Sequence, residues 1–500
     1  MSMHASMLAL LLISDLSMVA SFAAPRGPRA EVNPLPEQPL STRSAEALQH
    51  AVDAAIADSA RSLTIAGGPY NFSNKTFLIF GANKLKLVAP DPITLWFSGS
   101  AGINISSCVD LSLGNWSIDY ADSSSHGSMR DGPNGGAYHQ HQGDPYCGKS
   151  CGITFNLLNS TRVIVEDLHI HSSPYMMVTA FNGGGGHVFR RMIFEPVRGH
   201  TQVGPRDALH FTDQRVGPTI EDSVVGYCGD DLMNIHTTFM IVVRCETPTS
   251  CLVVNPHLQP WLPINTVYGT NSVLGTVKPG VDTMSFFDWP TAAFATKQRG
   301  GAPLGIASLA PVTDAALIKE AQTLVEAIGV CDINPVSCTN TTAPWDAREL
   351  WRVEFASAVP KEVTFTTIAQ IDTISNAGTV FRNNLFTDTH CNLGRFKSSD
   401  ALLENNTFRN AHIPNFEITW LPQFFEGPIQ VTNVTLARNT FEGESKVPIH
   451  CGPWCENPTC VGPTSYGPWT EKGCPACPDC FGGATAWTSG IQLVDNTIIP

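Results

Sequence analysis

The sequence is short of charge: Asp, Glu, Lys and Arg make up 15% of its 500 residues. It is shorter still of cations, with 30 Lys and Arg against 44 Asp and Glu, a formal net charge of −14. No basic stripe offers itself to phosphates, which excludes a nucleic-acid binder. No apolar run reaches the roughly 18 residues of a membrane span, and the acidic excess is spread along the chain with no acidic tail. This poverty of charge is not disorder, because hydrophobic residues reach 43% and can bury a large core. The abundance of Gly (41) and Pro (36) favours many short strands and turns over helical bundles. The length suits two or three domains, or one elongated repeat.

Lys and Arg are also missing from the start of the chain, where only His4 stands before the apolar run Met7 to Ile13. The small-residue stretch Ala20 to Ala24, followed by Pro25, completes the pattern of a cleaved signal peptide over residues 1–24. Fifteen cysteines and eight Asn-x-Ser/Thr sequons (Asn71, Asn74, Asn104, Asn115, Asn159, Asn340, Asn405, Asn433) point the same way. The mature chain is expected to be secreted or lumenal. Six cysteines fall between Cys451 and Cys480. Cys474, Cys477 and Cys480 could form a zinc knuckle, but an oxidising compartment makes residues 451–480 a disulfide-stapled loop. Cys147 and Cys151 read as a second local staple. The odd total leaves one thiol free or shared with another chain.

Ser44 to Ile56 has helical periodicity, with Ser44 as N-cap and Leu48, Val52, Ala55 and Ile56 on one apolar face. Period-two runs follow it, such as Thr76 to Phe80 and Thr94 to Phe97. A six-residue phrase then recurs: Leu113–Ile118, Val165–Ile170, Phe189–Phe194, Ile220–Val225, Phe381–Phe386, Leu403–Phe408, Leu436–Phe441 and Leu493–Ile498. Copies lie 22 to 24 or 31 to 33 residues apart, which is one turn of a parallel β-helix. Asn384, Asn406, Asn439 and Asn496 share one position, as a ladder of stacked amides requires. The expectation is an all-β solenoid, capped by a helix over residues 44–59 and running through 25–244 and 377–500. The repeat is interrupted over 245–376. There, a capped helix from Thr313 to Gly329 and strand-like runs predict an inserted, mostly-β subdomain.

The chemistry concentrates between Ser160 and Thr238. Asp207-Ala-Leu-His-Phe211 and Asp231-Leu-Met-Asn-Ile235 are 24 residues apart, so Asp207 lies over Asp231 and His210 over Asn234. With Asp230 this makes a carboxylate cluster, costly unless it shares a proton, binds a cation or serves a reaction. Three uses are open. Two carboxyls roughly 6.5–9.5 Å apart suit inverting glycoside hydrolysis; a cluster can hold Ca²⁺, as in a lyase; or the aspartates cap turns. The company of His210, Asn234 and His236 favours a site.

In these stretches the chain resembles the pectin-lyase-like right-handed parallel β-helix superfamily, through Ala66-Gly-Gly-Pro-Tyr-Asn-Phe72 after a helix. Within it the sequence is similar to the exo-α-galactosidases of glycoside hydrolase family 110. The matching phrases are Asn115–Tyr120, Asp207–Phe211, Asp230–His236, Phe381–Phe386, Leu403–Phe408 and Trp420–Phe441, in the family's order over most of 60–445. The resemblance implies an inverting exo-hydrolase of terminal α-linked galactose that needs no cofactor or metal. It makes Asp207, Asp230 and Asp231 the acid/base set, with His210, Asn234 and His236 as substrate contacts. Two positions depart from the family pattern: Ala208 and Thr237 stand where it has Gly, adding bulk beside the expected site. The partner is then a carbohydrate. A polygalacturonase would want Asn-x-Asp, Asp-Asp, Gly-His-Gly and Arg-x-Lys, of which only the Asp-Asp is read in this sequence. A pectate lyase would want Ca²⁺ and an Arg base, for which Arg198, Arg206 and Arg395 stand as candidates. A non-catalytic glycan-binding or adhesion β-helix is the reading from another class.

Overall fold

The computed structural model describes residues 43–99, 101–120, 152–197, 202–255, 273–287, 298–327, 350–365, 367–418, 426–428, 430–443, 449–450 and 488–500. The expected signal peptide, Cys147 and Cys151, the 451–480 loop, Arg198, Asn340 and Trp420 lie outside them.

A Ser44 hydroxyl accepting from the Ala47 N–H at 3.1 Å starts the Ala45–Ala57 helix, which buries Ala45, Leu48, Val52 and Ala55. The helix lies against the strands Ser62–Thr64, Gly68–Ser73 and Phe77–Phe80. Each of these stands at the head of a column of parallel strands, Gly68–Ser73 behind the two-residue strand Arg43–Ser44. The first column runs through Lys86–Val88, Ser112, Ile164, Val188–Arg190, Thr219–Glu221, Val380–Arg382, Ala401–Glu404 and Val434–Ala437 to Gln492–Val494. The third runs from Phe77–Phe80 through Ile103–Ser106, Phe155–Leu158, Val178–Phe181, Leu209–Thr212 and Met233–Thr238 to the second halves of Leu385–Phe396 and Thr407–Glu417. With all three columns parallel and visited in rotation, the protein is a parallel β-helix.

The period-two pattern supplies its core. Ile79, Ile105, Leu157, Ala180, Phe211, Ile235 and Phe396 follow one another down the third column, and all are fully buried. In the second, Phe386, Phe408 and Phe441 stack face to face, ring centroids 5.0 and 5.1 Å apart, close to the inter-strand spacing. The repeated phrase has a conformational cause. A residue in the left-handed region (Asn383, Asn405, Arg438, Asp495) turns the chain, and the next residue is the ladder Asn. Asn384 Nδ2 donates to Asn406 Oδ1 at 2.9 Å, Asn406 to Asn439 at 3.0 Å and Asn439 to Asn496 at 3.1 Å. Each acceptor also takes the backbone N–H of the amide before it in the ladder, so the turns' buried polar groups are satisfied internally.

The Met233–Thr238 strand leaves the coil directly into Met240–Thr247, the first strand of a closed antiparallel barrel. Its order is Met240–Thr247, Ser250–Val254, Leu350–Phe355, Gln298–Pro311, Thr283–Phe287 and Ile368–Ile371. The Ala315–Ala327 helix, started by Asp314 accepting from Ala316 N–H, belongs to this insertion. A Cys245–Cys251 disulfide staples the first hairpin. Arg215, from the coil, makes a two-pronged pair with barrel residue Asp282 at 2.6 and 2.7 Å. Burial opposes the Asp282 charge, but the bonds from Arg215, Thr373 and the Lys278 N–H hold its carboxyl below the usual range. The single free thiol expected from the odd cysteine count is corrected: Cys108 and Cys228 are both unpaired, each wholly buried among packed strands. No helix among the described residues is long and apolar enough to cross a membrane.

Candidate active site

Asp207 stands in the connector before Leu209–Thr212, and Asp230 and Asp231 in the connector between Val224–Cys228 and Met233–Thr238. Adjacent turns are in register: His210 pairs with Asn234 and Thr212 with His236, and the Ala208 N–H donates to Asp231 O at 3.0 Å. The consequence is a trio, one carboxylate oxygen from each of Asp207, Asp230 and Asp231 lying within 4.8 Å of the others. That is tighter than the roughly 6.5–9.5 Å between the acid and base of inverting hydrolysis, because groups on successive rungs are held near the rung spacing. It is also a spacing that one divalent cation bridging three oxygens would tolerate.

Asp207 and Asp231 are buried, whereas Asp230 keeps 17% of its side chain exposed. Burial, with Asp230 as a like charge, pushes the Asp207 carboxyl up. Burial pushes Asp231 well up, although Arg395 pulls the other way. Its two oxygens are occupied by Asn392 Nδ2 at 2.9 Å and Arg395 Nε at 3.3 Å. Asp230 pairs with Arg206 at 3.3 Å, whose guanidinium lies over the Tyr175 ring. Asp207 and Asp231 therefore each favour the carboxyl that carries a proton more than an isolated aspartate does.

The histidines locate that proton. Burial drives His236 well below its ordinary pKa, so it is neutral. Its Nδ1–H donates to Thr237 O at 3.2 Å, leaving Nε2 as acceptor for Thr212 Oγ1 at 3.0 Å and His210 Nε2 at 3.2 Å. With its Nε2–H spent there, His210 faces Asp207 Oδ2 through Nδ1 at 2.7 Å, and one proton is shared between them. This assignment follows from the hydrogen-bond network.

Beneath Asn234 in the same column come Arg395 and then Glu417. Gly394 permits the approach, since a Cβ there would meet Met233 Cγ at 2.3 Å. Arg395 also approaches Glu417 and Glu426, at 3.5 and 3.9 Å. Lys397, fully buried, pairs with Glu426, which accepts from Asn234 Nδ2 at 3.3 Å. Burial opposes the Glu426 charge, but Lys397 and Arg395 hold its carboxyl well below the usual range. Burial lowers Lys397 in turn, against the pull of Glu426.

All six expected residues, Asp207, Asp230, Asp231, His210, Asn234 and His236, fall in this one network. Sequence reasoning missed Asn392, Lys397, Glu417 and Glu426, and gave Arg395 no special place. One signal was available: Arg395-Phe396-Lys397 is itself an Arg-x-Lys, a second member of the polygalacturonase set. The two departures from the family pattern part company here. Ala208 packs in the interior core, so its methyl faces away from the carboxylates, whereas the Thr237 hydroxyl is buried beside His236.

The fold and this network define a parallel β-helix with a buried carboxylate–histidine cluster at one station of its coil. No family model matches the sequence, and no curated protein matches it. Among solved structures it is similar to the A-module of the mannuronan C-5 epimerase AlgE4 of Azotobacter vinelandii. The identity is 7%, the coverage 91% of each chain and the TM-score 0.25.

Proposed function

We propose that the protein is a secreted glycoside hydrolase of the pectin-lyase-like superfamily, acting on terminal α-linked galactose or a related neutral sugar. The observation that carries this is the trio of carboxyls, with buried Asp207 bonded to His210 at 2.7 Å and Asp230 partly exposed. A carboxyl that can give a proton beside one that can take it is the pair that glycosidic cleavage needs. In this reading Asp207, reloaded through His210, protonates the leaving oxygen and Asp230 takes the proton of the attacking water. Asp231, held by Asn392 and Arg395, fixes the local field. The sugar itself is taken from the family resemblance.

The Arg-x-Lys supports a second reading, hydrolysis of a galacturonan, in which cations would receive the uronate. Charge weighs against it. Asp207, Asp230, Asp231, Glu417 and Glu426 outnumber Arg206, Arg395 and Lys397, and each of those cations already touches a carboxylate. A uronate entering here would meet surplus negative charge, whereas a neutral sugar would not.

The test sets wild type beside Asp231→Asn on p-nitrophenyl α- and β-glycosides, α-galactosyl oligosaccharides and galacturonan, following released sugar and the ultraviolet absorbance of unsaturated uronides. Galactose release lost in the variant supports the first reading, and cleavage of galacturonan alone supports the second. Absorbance without hydrolysis would point to a lyase. Silence across the panel, with sugar still bound, would leave a glycan-binding protein. Proton NMR of the first-formed anomer decides the stereochemistry: the resemblance implies inversion, while the tight carboxyl spacing lies nearer the roughly 5–5.5 Å of retaining enzymes.

A further inference from the structure

The seven sequons among the described residues are not equivalent once folded. Asn104 is buried in the third column, its Oδ1 accepting from Asn156 Nδ2 at 3.3 Å, so a glycan there has nowhere to go. Asn115, Asn405 and Asn433 spend Nδ2, the atom that would carry the sugar, on Ala89 O, Asn383 Oδ1 and Asp400 Oδ1 at 3.0, 3.4 and 2.8 Å. Asn159 is half-buried at a left-handed turn. Asn71 is exposed, but its Oδ1 takes both the Ser73 N–H at 2.9 Å and the Ser73 hydroxyl at 3.0 Å, occupying the hydroxyl that defines its sequon.

Asn74 differs from all of these. It stands in the turn between Gly68–Ser73 and Phe77–Phe80, with Asn74, Lys75 and Thr76 all exposed. We propose that Asn74, on the first turn of the coil, is the one among these seven described sequons that carries an N-linked glycan, and that Asn104 carries none. The proposal rests on the reading that the chain enters the secretory pathway. In the transfer, Asn74 Nδ2 bonds to the anomeric carbon of a lipid-pyrophosphate-linked oligosaccharide and loses one proton as the lipid pyrophosphate leaves. Five strand pairings separate the Asn74 turn from the strand ending at Cys228, so the glycan stands on the order of 24 Å along the coil from the carboxylate trio. It decorates the capped end and leaves the site bare.

The full chain is exported from eukaryotic cells twice, once on its own N-terminus and once behind an established secretion leader. Glycans are then released enzymatically in heavy-oxygen water and the peptides mapped by mass. Failure on its own N-terminus alone counts against the secretion reading and leaves the site assignment standing on the leader-driven protein. In that protein the Asn74 peptide is expected to carry the isotope and the Asn104 peptide not. Asn74→Gln should lose the mass of one glycan while keeping the circular dichroism of the wild type. An unmodified Asn74 in exported protein overturns the proposal, as does an occupied Asn104 in protein with the native spectrum.

Discussion

At the scale of single residues the site is a problem in sharing protons among buried charges. Asp207→Asn and Asp230→Asn should each lower kcat by about 10²–10⁴-fold, with circular dichroism unchanged. Asp231→Asn should do the same if its anion sets the field. The pH profile has a definite sign. Because Asp207 and Asp231 are both pushed up, the proton needed for the acid role persists above the ordinary carboxylate range, and activity falls as pH rises through the trio's last titration. Metal chelators should leave turnover unchanged if the trio works as carboxyls alone; a loss restored by Ca²⁺ would make it a cation site. Lys397→Met tests the buried pair beneath. Removing the cation leaves buried Glu426 with only the Asn234 amide and the more distant Arg395 and should cost about 3–5 kcal/mol in urea unfolding, most of it regained in Lys397→Met with Glu426→Gln.

At the scale of strands and turns, the coil is held by two kinds of stack. Phe408, between Phe386 and Phe441, should cost about 3–5 kcal/mol when truncated to Ala. Asn406→Ala should cost about 1–3 kcal/mol, since it strands the Asn384 amide and the Phe381 carbonyl. Both follow from the repeated phrase, and this is where the sequence was most readable. Side chains that recur at a fixed interval report their own neighbours, so the Asn ladder and the pairing of His210 with Asn234 could be read before any coordinates. The residues that complete the site recur at no interval. Asn392, 161 residues beyond Asp231, meets it only because the strand from Leu385 lays itself under the one from Met233. Glu426 arrives from the antiparallel side, opposite Thr238, a pairing that no local spacing announces. The interior position of Ala208 was hidden for a related reason: in a connector, alternation no longer says which way a side chain faces.

For the whole molecule, the described residues of coil and barrel form two cores, with Arg215 and Asp213 making polar ties where they meet. Arg215→Ala removes the pair to Asp282 and leaves a buried carboxylate uncompensated. Differential scanning calorimetry should then resolve two transitions, the barrel melting first. A second tie lies where the chain leaves the coil: Asp213, pushed up to about 6 by burial, accepts from the Thr238 N–H and hydroxyl at 2.6 and 2.9 Å. A carboxyl raised this way binds its proton more tightly folded than unfolded. Its contribution to stability is complete below the ordinary value near 3.8 and is lost as pH rises to about 6. The melting temperature should fall across that window, and the fall should flatten in Asp213→Asn.

The strand that grips the aspartates lies on the far side of the barrel in sequence, which turns distance along the chain into time. At about 5–20 residues per second of synthesis, Asp231 emerges on the order of ten to thirty seconds before the asparagine and arginine that hold it. Until then Asp231 lacks its counter-charge, although Arg206 can already pair with Asp230. A ribosome-bound chain stalled before Leu385 should bind no sugar, however well its first turns have formed.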